Sequence, residues 1–161
     1  MKRFVIIGNS AAGLAAAEAI RARDTQSEIS IISDEDYPAY RRYSISRVLA
    51  GEVKKDALVY RPESFYKENN IGLVLNKKVN RVSPKKNRVI CEDKSQFDYD
   101  VLLIASGARP RMPEIKGVKK NGVFGFRTLK DVKAIQNILP VVKCACVLGG
   151  GLAGVNAAYA F

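Results

Sequence analysis

The sequence contains no histidine. That removes the imidazole general base and the imidazole metal ligand, so serine–histidine hydrolases and histidine-ligated zinc enzymes are excluded. Cysteine is scarce: Cys91, Cys144 and Cys146 make an odd count of 3, at spacings that fit neither a zinc site nor a CxxC redox pair. These read as buried thiols in a reducing cytoplasm. No apolar run reaches the roughly 18 residues that a membrane span needs. The amino terminus, Met1-Lys2-Arg3 before an apolar stretch, has the charge of a secretory leader. Gly8, Asn9, Ser10 and Gly13 interrupt that stretch, and Glu18 and Arg21 close it. A strand, a turn and a helix account for all of these residues; a leader does not.

Acidic residues are the other deficit, 16 against 27 lysines and arginines, for a net charge of +11. The basic residues gather at 54–55, 77–78, 85–88 and 116–120. No aromatic interleaving or nucleic-acid-binding module accompanies them, so no nucleic-acid partner is expected. Two readings stand: a solvated basic surface, or a field that steers an acidic or anionic partner. The 161 residues, 47% apolar and 27% charged, suffice for a folded domain with its own core.

What the chain does have is a strand running into a glycine-bounded turn, twice. Phe4-Val5-Ile6-Ile7 leads into Gly8-Asn9-Ser10-Ala11-Ala12-Gly13, and Ala145-Cys146-Val147-Leu148 leads into Gly149-Gly150-Gly151-Leu152-Ala153-Gly154. A diphosphate needs main-chain amides and a positive helix end held close to it, and this layout supplies both. Two such turns point to two dinucleotides, and so to electron traffic between them. In the first turn Ser10 replaces the middle glycine of G-x-G-x-x-G; serine is small and can donate a hydrogen bond. The same residues superficially match a hydrolase nucleophile elbow, which falls away without a histidine base.

Strand 4–7, helix 12–22 and strand 28–33 make a βαβ unit of about thirty residues. Asp34 and Glu35 follow at its carboxyl end, 26 and 27 positions after Gly8, where a carboxylate, chiefly that of Glu35, can hold both ribose hydroxyls. A solvated acidic loop is the alternative. Further along, the pattern predicts helices over 43–50, stopped by Gly51, and over 62–68, then a parallel strand over 71–75. Short strands over 78–82 and 88–92 flank the turn-like Pro84-Lys85-Lys86-Asn87 and form a small antiparallel meander. Val101 to Ala105 reads as a strand covered on both faces. Thr128 is placed to cap a helix near 129–138, which Pro140 ends, and a last strand begins near Lys143. A βαβ unit opening there lacks its second strand, so the chain reads as part of a longer protein or as a degenerate product.

Tyr40, Arg42, Ser46, Leu49, Ala50 and Gly51, the stretch Tyr99 to Pro110, and both glycine turns together resemble the FAD-dependent pyridine nucleotide-disulfide oxidoreductases. The likeness is strongest to the branch of rubredoxin reductases and the flavoprotein part of NAD(P)H-nitrite reductases. The resemblance implies an α/β, three-layer FAD/NAD(P)-binding Rossmann-like fold with a small antiparallel meander. It implies a flavin-binding part over 1–125, a connecting helix over 126–142, and the start of an NAD(P)-binding part over 143–161. It implies FAD held at its diphosphate by Gly8, Ser10, Ala11, Ala12, Gly13 and Arg42, and at its ribose by Asp34 and Glu35. Ser46 and Arg47 would lie beside the isoalloxazine, Val79 would meet adenine through its backbone, and Ala105, Ser106 and Gly107 would pass close to the cofactor. Gly149, Gly151 and Gly154 would serve NAD(P)H.

The implied activity is transfer from NAD(P)H through FAD to an acidic electron carrier of rubredoxin or ferredoxin type, or to a downstream redox centre, in the cytoplasm. No side chain stands out as acid, base or nucleophile. A module that binds flavin without turnover, or a plain NAD-binding Rossmann protein, are the alternatives; the meander and the Tyr40–Gly51 segment count against the latter. The sequence departs from the family in three ways: no cysteine lies between Asp34 and Gly51, there is no CxxxxC pair, and Asn156 replaces the usual glutamate.

Overall fold

A computed structural model describes residues 1–161. It divides into two compact units that interleave in sequence, Met1–Tyr40 with Tyr60–Gly107, and Arg41–Val59 with Ala108–Phe161.

The first unit is built on a parallel sheet. Strand β1 (Arg3–Ile7) feeds helix α1 (Ala11–Arg23), which returns the chain to β2 (Glu28–Ile32). A short helix (Glu63–Glu68) precedes β3 (Ile71–Val74). The antiparallel strands β4 (Val79–Ser83), β5 (Arg88–Cys91) and β6 (Gln96–Asp98) follow, and the chain re-enters the first sheet as β7 (Val101–Ile104). The orders are β3-β2-β1-β7 in the parallel sheet and β4-β5-β6 in the antiparallel one.

Alternation along the strands explains why there are three layers. Successive side chains of a strand point to opposite faces. Phe4 and Ile6 of β1, with Ile29 and Ile31 of β2, pack with Leu14 and Ala17 of α1 and with Tyr66. Val5 and Ile7 of β1, with Ile32, pack instead with Val89, Cys91 and Tyr99 of the meander region. Helices therefore cover one face of the parallel sheet and the antiparallel sheet covers the other, the three-layer α/β arrangement expected from the sequence. The meander turn uses Asn87 in the left-handed conformation, φ 48°, which asparagine tolerates.

One strand departs from expectation. β7 pairs only with β1 and is the edge of its sheet, and Val101, Leu103 and Ile104 are exposed rather than covered, Ile104 at 64%. Its apolar run reads as a central strand, but with a neighbour on one side only its outer flank stays open.

The second unit is helical, with α2 (Ile45–Leu49), α4 (Leu129–Ile138) and α5 (Leu152–Tyr159); α3 is the Glu63–Glu68 helix of the first unit. Gly51, at φ 74°, ends α2 as a left-handed cap. Leu129, Val132 and Ile135 recur every three residues and form the buried stripe of α4. Two hydrogen bonds join α4 and its flank to the α2 region: Gln136 Nε2 donates to Val48 O at 2.9 Å, and Arg42 Nη1 donates to Arg127 O at 3.1 Å.

The strand expected from about Lys143 does not form. Residues 142–150 are irregular and pair with no strand of either sheet. A strand is stabilised by a ladder partner, and an apolar run without one stays unpaired. For the same reason Cys144 and Cys146 are exposed, which corrects the reading of all three thiols as buried; Cys91 alone is.

Candidate functional site

The carboxyl ends of the parallel strands gather at one edge of the sheet. Ile7 is in register with both Ile32 and Ile104, and Ile32 with Val74. The segments that leave these strands are therefore neighbours. Gly8 N–H donates to Ile32 O at 2.8 Å, Ala105 N–H to Ile7 O at 2.8 Å, and Asn76 N–H to Glu35 O at 3.2 Å. α1 leaves β1 toward β2, whereas β7 lies on the other side of β1, so connections diverge at Gly8. Open α/β sheets bind ligands at such a divergence.

The glycines of the first turn are required by contact as well as by conformation. Gly8 sits at φ 111°, and a Cβ there would collide with the Ala105 carbonyl and press on Ser106. A Cβ on Gly13 would strike the Gly8 carbonyl oxygen and come within 3.2 Å of Ile6 Cγ2. Ser10 is the N-cap of α1, but its hydroxyl does not cap the helix. The first intrahelical bond runs from Leu14 N–H to Ser10 O at 2.9 Å, so the amides of Ala11, Ala12 and Gly13 precede it. These donors, at the positive end of a 13-residue helix, suit an anion.

Of the two acidic residues after β2, Asp34 is exposed and Glu35 is half-buried. Glu35 Oε2 accepts from the Tyr40 hydroxyl at 2.6 Å, and Tyr40 in turn rests edge-on against Tyr37, with ring centroids 6.4 Å apart. Val79 opens β4 opposite Cys91, next to a register shift before Arg81. Gly8–Gly13, Asp34–Glu35, Val79 and Ala105–Gly107 thus all belong to the first unit.

The remaining residues singled out in the sequence belong to the second unit. Arg42 opens a short 3-10 turn (Arg42–Ser44), and Ser46 and Arg47 lie on α2. Arg47 Nε pairs with Glu52 Oε2 at 3.1 Å across an exposed surface.

The second glycine turn repeats the first in local detail. Gly149 has φ 116°, a Cβ on Gly154 would strike the Gly149 carbonyl oxygen, and Val147 Cγ1 stands 3.4 Å from that Cβ, in the place that Ile6 Cγ2 takes at 3.2 Å in the first turn. The opening helical bond, Val155 N–H to Gly151 O at 3.0 Å, matches Leu14 to Ser10. Gly149 differs from Gly8 in having no neighbouring segment within 4 Å of the added Cβ.

Sequence reading missed the support beneath the first turn. Asn9 Oδ1 accepts from the Tyr66 hydroxyl at 3.0 Å, and that hydroxyl oxygen accepts from Ala39 N–H at 3.2 Å. Burial pushes the Tyr66 pKa up, which keeps the phenol protonated as a donor. Nothing in the sequence relates residues 57 positions apart, so no local signal could have found the pair. Asn9 Nδ2 is buried without a hydrogen-bond partner. The chemistry of the edge as a whole, namely close-packed glycines, amides at a helix start, and an oriented carboxylate, fits a dinucleotide of the FAD kind.

The comparisons with known proteins agree with this chemistry. The family model for pyridine nucleotide-disulphide oxidoreductases matches residues 2–161. The chain is 34% identical over 158 residues to the assimilatory nitrate reductase electron transfer subunit of Bacillus subtilis, covering 98% of this chain and 20% of that protein. It is 36% identical over 165 residues to the NADH oxidase of Methanocaldococcus jannaschii, covering 98% and 37%. Among solved structures, the covalent putidaredoxin reductase–putidaredoxin complex superposes with a TM-score of 0.81 at 28% identity, covering 99% of this chain and 39% of the matched chain. The chain thus spans between a fifth and two fifths of the length of these relatives. It belongs to the pyridine nucleotide-disulphide oxidoreductase family.

Proposed function

We propose that this chain is the flavin-binding portion of an NAD(P)H oxidoreductase that passes electrons to a small acidic redox protein of rubredoxin or ferredoxin type, or to a downstream redox centre. The observation that carries the reading is the close approach of Gly8 to Ala105 and Ser106 where the strand connections diverge. Gly8, Ser10, Ala11, Ala12 and Gly13 would hold the FAD diphosphate through main-chain amides, with Glu35 on the ribose and Asp34 beside it. Val79 and Ala105–Gly107 would line the same edge, and the family resemblance assigns Arg42 to the diphosphate and Ser46 and Arg47 to the isoalloxazine. FAD, when bound, supplies the step from a hydride donor to an electron carrier. Gly149, Gly151 and Gly154 would hold NAD(P)H. Functionally, residues 1–125 would serve the flavin, 126–142 connect, and 143–161 open the NAD(P) part. The similarity to an electron transfer subunit and to a reductase solved with its putidaredoxin supports a protein acceptor. Free thiols throughout support the cytoplasm as its compartment.

A second reading, a nucleotide-binding module without turnover of its own, is favoured by the unpaired segment 142–150 before the second turn. One experiment separates the two. FAD is added to the purified chain, free flavin is removed, and NADH is added without oxygen. A retained flavin spectrum that bleaches supports the oxidoreductase. Retained flavin without bleaching selects the binding module, and a colourless protein refutes flavin binding.

A further inference from the structure

Asn9 lies in the diphosphate turn between Gly8 and Ser10, yet it is 8% exposed and its side chain is engaged with the core. Tyr66, 1% exposed, donates its hydroxyl proton to Asn9 Oδ1 and accepts from the main-chain N–H of Ala39. Ala39 precedes Tyr40, whose hydroxyl donates to Glu35 Oε2 at 2.6 Å. An unbroken line of bonds and one peptide link therefore joins the turn to the acidic residue at the end of β2.

This line is a poor way to gain stability. The Asn9 Nδ2 donor is left buried and unpaired, and a buried donor without an acceptor is a net cost that an apolar contact would avoid. A tyrosine hydroxyl and an asparagine amide fix direction as well as distance, which an apolar contact does not.

We propose that Asn9 and Tyr66 are positioning residues for nucleotide binding: they tie the diphosphate turn to the Ala39–Tyr40 segment that orients Glu35, so that the two ends of one nucleotide are received at a set spacing. The inference rests on the flavin-site reading above and adds to it a pair of residues that touch no ligand themselves. A ligand long enough to engage both the turn and Glu35 depends on the spacing; a ligand that engages the turn alone does not.

The test compares two probes on the full chain, ADP, which has both a diphosphate and a ribose, and inorganic diphosphate, which has only the first. Tyr66→Phe and Asn9→Leu each break the line while keeping side-chain bulk, and circular dichroism checks that each variant is folded. Each is expected to weaken ADP by roughly tenfold, the size of one lost hydrogen bond, and to leave inorganic diphosphate within about twofold. The double variant is expected to bind ADP no worse than either single one, because both act through one connection. Equal loss of both probes, additive losses in the double variant, or unchanged ADP affinity would overturn the proposal. If Tyr66→Phe fails to fold, the Asn9→Leu comparison alone decides by the same criterion. Binding of neither probe by the unsubstituted chain overturns the flavin-site reading itself and this inference with it, a result distinct from equal losses in the variants.

Discussion

At the scale of single residues, the glycines carry most of what is specific. Gly13 packs its α-carbon against the carbonyl of Gly8, and no side chain can share that space. Gly13→Ala should cost roughly 2–3 kcal/mol, in the range of overpacked or strained backbone sites, read as a fall in the thermal midpoint. A midpoint unchanged to within a degree would show that the turn relaxes freely. These glycines were legible in the sequence because their constraint is local: a strand, a tight turn and a helix start lie within a dozen residues. The place of Glu35, just past the end of the next strand, was legible for the same reason. Tyr66 and Asn9 were not, since their bond exists only once the short helix before β3 has packed over the parallel sheet.

At the scale of elements, caps and ion pairs set the margins. Thr128 accepts from Asp131 N–H at 3.1 Å while Asp131 Oδ2 accepts from Thr128 N–H at 2.8 Å, a reciprocal capping box at the start of α4. Thr128→Ala should cost about 1 kcal/mol, measured by denaturant unfolding, and Thr128→Ser should recover most of it. The threonine was readable in advance; the matching aspartate is the detail that structure adds. On the meander, the Lys77 ammonium, with Ser95, holds the Asp93 carboxyl down to about 2 from its usual 3.8. Arg88 lowers Asp98, and Arg3 lowers Asp100. Because these folded values lie below the unfolded ones, their contribution is present above the ordinary carboxylate range and fades as pH falls toward about 2. Asp93→Asn with Asp98→Asn should therefore flatten the loss of stability over that acid window, seen as a smaller shift of the denaturant midpoint. The three carboxylates are exposed, so the change should be modest. The elements that sequence misjudged, β7 and the run before Gly149, are both apolar stretches whose state depends on how many strand neighbours they find. Hydropathy reports a wish for burial, not the presence of a partner.

At the scale of the whole molecule, net charge is the property most open to test. An excess of 11 positive charges should speed encounter with an acidic carrier and slow it as salt rises. Stopped-flow association with an acidic ferredoxin should fall steeply between about 0.02 and 0.3 M salt, as the Debye length shrinks from roughly 20 Å to under 10 Å. A flat profile would leave the basic residues as solvated surface only. The doubled glycine turn bears on something else. Its second copy keeps the local geometry of the first although the run before it pairs with no strand. The shape is thus written into six residues and the start of a helix, and it travels without its surroundings. A gene segment encoding it could be duplicated into a new context and arrive with its bend already set, before any evolved fold had grown around it.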